Sequence, residues 1–407
     1  MAGPRLISPS HKVGREWLVR TAKDQGADSL EQARRAAQQV PGPEKSPSML
    51  STALNLFQHH LARARAYQGL ELPDATQNEL VGALLTSASA ALTQQGVKHT
   101  AVGRTLVISP EGTHPLNLQA AKISRQWHGT VRYAPEDLVG RGWAATFSPA
   151  SNSLGIDHAQ ILQPDVLTNG FKHEQIHMES DFAIRAGRPW ATSGYLLGID
   201  EGVLPQAVAG LDHYRAFQSI DELPAYLVSL EHCTEHALAA STPAELRKAV
   251  DALRYDTVNL LDVALRTEGV LRRSVSRVQK GDFDLFKDPS GRVAVEVRDT
   301  THSDRAHEVF LPQPGEAQPA ESALDARLAA ATTHLAMARL SQSVVDALPA
   351  DTASAKVMLA ALGDLFREVI ADRDAGKRRL TFPEAVARFN ASVEAAQSKT
   401  RRGVTDL

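Results

Sequence analysis

The chain has 407 residues, past the size at which a single hydrophobic core keeps growing, so more than one structural unit is expected. Hydrophobic residues make up 43% and charged residues 22%, the balance of an ordered globular protein, which excludes disorder as the default. Lys plus Arg number 44 against 47 for Asp plus Glu, a net charge of -3 that leaves no basic excess for nucleic acid, and the single cysteine, Cys233, excludes a disulfide framework and a Cys-rich zinc site.

The N-terminus, "MAGPRLISPSHKVGREW", lacks the apolar stretch of about 7 to 15 residues of a secretory signal, and no run of about 18 apolar residues occurs. A soluble, cytoplasmic protein is expected, or one exported by a route without a cleaved signal peptide, with no membrane partner. From about residue 14 to 96 the pattern is helical: "SMLSTALNLFQHHLARARAY" and "ATQNELVGALLTSASAALTQQG" place apolar residues three and four apart, with Gly96 as a C-cap. The prolines of "VPGPEKSPS" mark a loop. Between 98 and 162 short runs, "TLVIS", "TVRY", "WAATF" and "SLGI", are separated by turn-forming residues and predict a small sheet.

A long helix follows, then a Gly-rich connection from 187 to 212 and another helical stretch, "SIDELPAYLVSLEHCTEHALAA". "FDLFKDPSGRVAVEV" reads as a β-hairpin turning at Asp288–Gly291. Beyond "LPQPGEAQPAES" the chain is Ala-rich and helical, and Thr381-Phe-Pro-Glu384 fits a capping box. The fold class is α+β, predominantly helical.

The stretch "NGFKHEQIHMESDF" carries the chemistry. Thr168 or Asn169 caps the helix, Phe171, Met178 and Phe182 give it an apolar face, and Gly187 with Pro189 ends it. Residues four apart lie on one helix face, so His173 and His177 can present imidazole nitrogens to one ion. Glu174 is rotated by about 100° from His173 and can reach a metal-bound water without occupying the metal. Two neutral imidazoles to hold Zn²⁺, a metal to acidify water and a carboxylate to take the proton are the requirements of hydrolysis.

On "FKHEQIH", with a predicted sheet before it and a helix after it, the sequence resembles the zincin metallopeptidases over roughly residues 100 to 240. That family sets an HExxH helix behind a small twisted sheet whose edge strand binds the substrate peptide. The resemblance implies His173 and His177 as zinc ligands, Glu174 as general base, and a protein or peptide as substrate. It divides the chain into a helical N-terminal region (1–97), a zincin-like catalytic core (98–275), a β-hairpin insertion (276–315) and a helical C-terminal region (316–407). Uncharged residues around the motif fit the family, whereas Glu179 stands where a hydrophobic residue is usual.

Ser180 and Ala183 replace the Gly and His of the extended HExxHxxGxxH form, which excludes the metzincins and points to a carboxylate from a later helix as third ligand. Glu222 is preferred, because "DELPAY" resembles the E-x-x-A pattern of such ligand helices; Glu201, Glu231 and His232 are alternatives. Ser219-Ile-Asp-Glu222 also reads as a capping box, which would account for Glu222 without a metal. Tyr195, His213, Tyr214 and Tyr226 are in sequence range to stabilise an oxyanion. "FSPASNSLGID" is either the substrate-binding edge or a hairpin with an exposed turn.

Gly140-Arg-Gly142-Trp-Ala-Ala145 imitates a dinucleotide fingerprint without the strand and helix it needs. His59 and His60 are adjacent and cannot share a helix face, and Cys233 reads as a small helix residue. The leading reading is a zinc metallopeptidase. Its rivals are a non-catalytic helical interaction protein with a decorative HExxH, and a zinc hydrolase acting on a non-peptide amide or ester.

Overall fold

Alternation in "TLVIS" and "TVRY" sends Leu106, Ile108, Val131 and Tyr133 to one side of their strands, and all four are buried. The computed structural model describes residues 3–8, 48–67, 72–141, 145–148, 151–185, 213–280, 285–287, 293–299, 305–310, 320–374 and 380–405. The chain forms two compact units, Val19–Asp181 and Met1–Leu18 with Phe182–Leu407.

In the first, helices α1 (Met49–Ala66) and α2 (Asp74–Gln94) lead to β1 (His99–Val102) and β2 (Thr105–Ile108). Helix α3 (Pro115–Trp127), β3 (Thr130–Tyr133), α4 (Glu136–Arg141), β4 (Thr146–Ser148), β5 (Ser153–Gly155) and α5 (His158–Leu162) follow, and α6 begins at Asn169 and runs to Arg185. The five strands make a mixed sheet in the order β1-β2-β3-β5-β4. Only β3 and β5 run parallel; β4 returns antiparallel on β5 and forms an edge. The register aligns Ile108, Val131, Leu154 and Phe147 in one row across four strands. That row joins Phe57, Leu84, Leu116, Ile123, Phe171 and Met178 in a single core.

Local signals set the helix ends. Gly96 has φ +78°, and the N–H groups of Gly96 and Val97 donate to Thr93 O at 3.0 Å and Leu92 O at 2.9 Å, the Schellman closure expected of a C-cap glycine. The segment between 98 and 162 is not sheet alone, because α3, α4 and α5 lie between its strands. For α3 the signal was present: Pro115 occupies the first turn, and buried Leu116, Ala120 and Ile123 recur four and three apart.

The other unit contains α7 (His213–Ala239), α8 (Pro243–Lys280), a three-stranded antiparallel sheet, and then α9 (Ala320–Ala347), α10 (Thr352–Asp374) and α11 (Phe382–Thr405). The small sheet pairs β6 (Leu285–Lys287) with β7 (Val293–Asp299), the predicted hairpin, and adds β8 (Arg305–Phe310). The capping box at α11 is formed, with the Thr381 N–H donating to Glu384 Oε2 at 2.9 Å. Residues near the N-terminus dock on α11: the Ile7 N–H donates to Asn390 Oδ1 at 2.9 Å, Asn390 Nδ2 donates to Ile7 O at 3.1 Å, and the Ile7 side chain joins the helical core.

The fold is therefore α+β and predominantly helical, with a small mixed five-stranded sheet. Among the described residues, no helix is long and apolar enough to cross a membrane.

Candidate metal centre

Helix α6 starts where the cap chemistry places it. Thr168 Oγ1 accepts the Phe171 N–H at 3.2 Å, and the Lys172 N–H donates to Thr168 O at 3.1 Å, so Thr168 rather than Asn169 is the N-cap. Phe171 and Met178, seven apart, are fully buried in the sheet's core. Met178 packs where a side chain at Gly129 would stand, its Sδ and Cε 2.7 Å from an ideal Cβ there. The helix is thus fixed in rotation by two large anchors. At 100° per residue, His173 and His177 lie roughly 130° around the axis from that anchored face.

The two histidines converge. Their Nε2 atoms are 3.2 Å apart, with ring centroids at 4.9 Å and planes at 70°. Two nitrogens each about 2.0 to 2.1 Å from a tetrahedral Zn²⁺ are about 3.3 Å apart, so the pair already has the separation such an ion requires. Glu174 completes a group of three whose ligand atoms lie within 4.8 Å of one another, and this is the one such group among the described residues. His173 and Glu174 are half-buried, which limits water around a bound ion without sealing it off. The group can hold a metal ion. Glu179, the residue that departs from the usual motif, is half-buried.

The remaining expected residues are placed as follows. Glu222 is half-buried on α7, in the other compact unit. Because α7 begins at His213, Ser219 to Glu222 lie inside the helix, and the capping-box explanation of Glu222 is wrong. Glu231 forms an ion pair with Arg367 at 3.1 Å; burial and then the charge of Glu235 push its carboxyl up, while Arg367 pulls it back. His232 is buried, with Nδ1 3.3 Å from Glu235 Oε2, and its ring centroid is 4.2 Å from that of His236. Tyr226 is partly buried against the helical core. Glu201 and Tyr195 lie outside the described residues, as do Gly187, Pro189 and the whole connection from 187 to 212, while His213 and Tyr214 stand in the first turn of α7.

In "FSPASNSLGID" β4 pairs antiparallel with β5, and β4 ends the strand order as a sheet edge. Asn152 takes the positive φ of 44° that its turn needs, and its Nδ2 donates to Trp127 O at 2.8 Å. Gly140 ends a helix instead of following a strand, as expected of a chance dinucleotide-like run.

Sequence reasoning missed the polar network behind the sheet. Tyr133 OH and His158 Nδ1 are 2.9 Å apart, and both residues are buried. Burial, and secondarily the charge of Arg65, push His158 down to about 3, so the imidazole is neutral. Burial also holds the Tyr133 hydroxyl well above its usual range and raises the Asp157 carboxyl, which hydrogen bonds and Arg65 partly restore. Asp157 directly after a strand and before a short helix is the one local signal that pointed here. Comparison of the chain with protein-family models, with curated proteins and with solved structures gives no match.

Proposed function

We propose that the protein is a zinc-dependent metallopeptidase, with His173 and His177 as metal ligands and Glu174 as general base. The observation that carries this reading is the 3.2 Å separation of the two Nε2 atoms, with Glu174 in the same cluster. Zinc, when bound, supplies Lewis acidity toward a scissile carbonyl and makes water a nucleophile near neutral pH. The chain's own contribution is positional. His173 and His177 present their two nitrogens from one helix, and Glu174, one residue on from the first ligand, is placed to take a proton from the attacking water and return it to the leaving amine. Among the described residues β4 ends the sheet, and an extended peptide can add to such an edge by main-chain hydrogen bonds, which favours a peptide substrate. The resemblance in sequence implies a third protein ligand, with Glu222 the residue its sequence context favours; the helical position of Ser219–Glu222 removes the competing capping explanation of that residue.

The test is metal analysis and peptide-library cleavage by wild type, Glu174→Gln and His177→Ala. Wild type is expected to hold zinc and cleave, Glu174→Gln to hold zinc without turnover, and His177→Ala to lose most of the metal. Zinc retained by wild type without cleavage of any peptide would favour a non-peptide amide or ester instead.

A further inference from the structure

His173, Glu174 and His177 all sit on α6, so whatever fixes its first turn fixes the two histidines. A buried carboxylate does this. Asp157, the N-cap of α5, accepts the Gln160 N–H at 2.7 Å through Oδ1. Thr168 Oγ1 accepts the Phe171 N–H at 3.2 Å. Gln160 therefore links the two helices, its N–H on Asp157 and its Oε1 on the N–H of the α6 cap residue Thr168.

Gly170 sits in the same place. A Cβ there would stand 2.7 Å from Asp157 Oδ2 and 3.2 Å from the Cβ of Ala145, the residue just before edge strand β4. No real side chain fits without moving the carboxylate. Gln160 secures the other side of the connection: its Oε1 accepts the Thr168 N–H at 3.1 Å, and its Nε2 donates to Val166 O at 2.8 Å and Gln163 O at 3.2 Å. An amide at 157 keeps an acceptor for the Gln160 N–H but loses the second carboxylate oxygen, the one beside Gly170.

We propose that Asp157 is a positioning residue for the metal centre: with Thr168 and the space left by Gly170, it sets α6 against β4 and so aims His173 and His177. This rests on reading that pair as metal ligands. Outer partners that orient metal ligands typically change affinity about 10- to 100-fold, and Asp157 acts one helical turn away from His173, so the low end is expected.

The experiment measures zinc affinity of the full chain by chelator competition, with thermal unfolding in parallel, for wild type, Asp157→Ala, Asp157→Asn, Gly170→Ala and the Asp157→Ala/Gly170→Ala pair. Asp157→Ala should bind zinc about tenfold more weakly while folded, and Asp157→Asn should recover part of the loss. Gly170→Ala should weaken binding in the wild-type background and cost less when Asp157 is already alanine, since the 2.7 Å clash with the carboxylate is gone and only the 3.2 Å approach to Ala145 remains. Should Asp157→Ala fail to fold, Asp157→Asn and Gly170→Ala decide. Wild-type affinity in folded variants that are merely less heat-stable would overturn the positioning role. Wild type that takes up no zinc, or zinc that His177→Ala leaves in place, would instead overturn the metal reading beneath it.

Discussion

Replacing His158 with asparagine should flatten the acid sensitivity of the unit that carries His173 and His177. The imidazole is 2% exposed, beside Phe57 and Tyr133, and its pKa falls from 6.5 to about 3, through burial first and the Arg65 charge second. The unfolded chain therefore binds a proton near pH 6.5 that the folded one refuses. Folding stability is unaffected above that value and declines as pH falls from about 6.5 toward about 3. At about 1.4 kcal/mol per pH unit, roughly 3 kcal/mol should disappear between pH 7.5 and 4.5. Asp157, raised by burial, works in the opposite sense, and subtracting the variant's profile from that of wild type cancels it. Asparagine keeps a polar group near the Tyr133 hydroxyl without titrating. Hydrogen exchange read by mass spectrometry on peptides covering β3 and β5 follows this unit separately from the rest of the chain. Parallel pH profiles for wild type and His158→Asn, or the resonance of the His158 imidazole titrating near 6, would refute the reasoning.

Two further outcomes are expected. Gly129→Ala places a methyl 2.7 Å from Met178 Sδ and Cε and 3.2 Å from Ile123, and should cost about 1 to 3 kcal/mol by overpacking, read as a lower denaturation midpoint and relieved in a Met178→Ala background. Asn390→Ala removes both hydrogen bonds from Asn390 to Ile7; at about 1 kcal/mol, tryptic cleavage after exposed Arg5 should speed up roughly fivefold, and an unchanged rate would show that these two bonds do not hold the segment.

Local chemistry was legible in the sequence wherever one residue type settles one conformation. The Gly96 closure, the Thr381–Glu384 box, the Thr168 cap and the alternation in β2 and β3 all follow from neighbours within a few residues. Helix α3 was also legible but obscured by the strand signals around it. Ser219–Glu222 misled for the opposite reason: a capping-box pattern inside a helix is silent, because the backbone N–H groups it would satisfy already have partners. In the candidate centre, the i and i+4 spacing of His173 and His177 gave their convergence directly. Asp157, Gln160 and Gly170 could not be read in advance, since their roles come from a close approach of α5, α6 and β4 that only the tertiary fold creates.

The central claim is that His173 and His177 hold zinc, and the most direct measurement is the zinc content of the purified full-length protein, prepared without chelator, beside His177→Ala. About one zinc per wild-type chain and little in the variant is the predicted result. Zinc-free wild type, folded and intact, would contradict it.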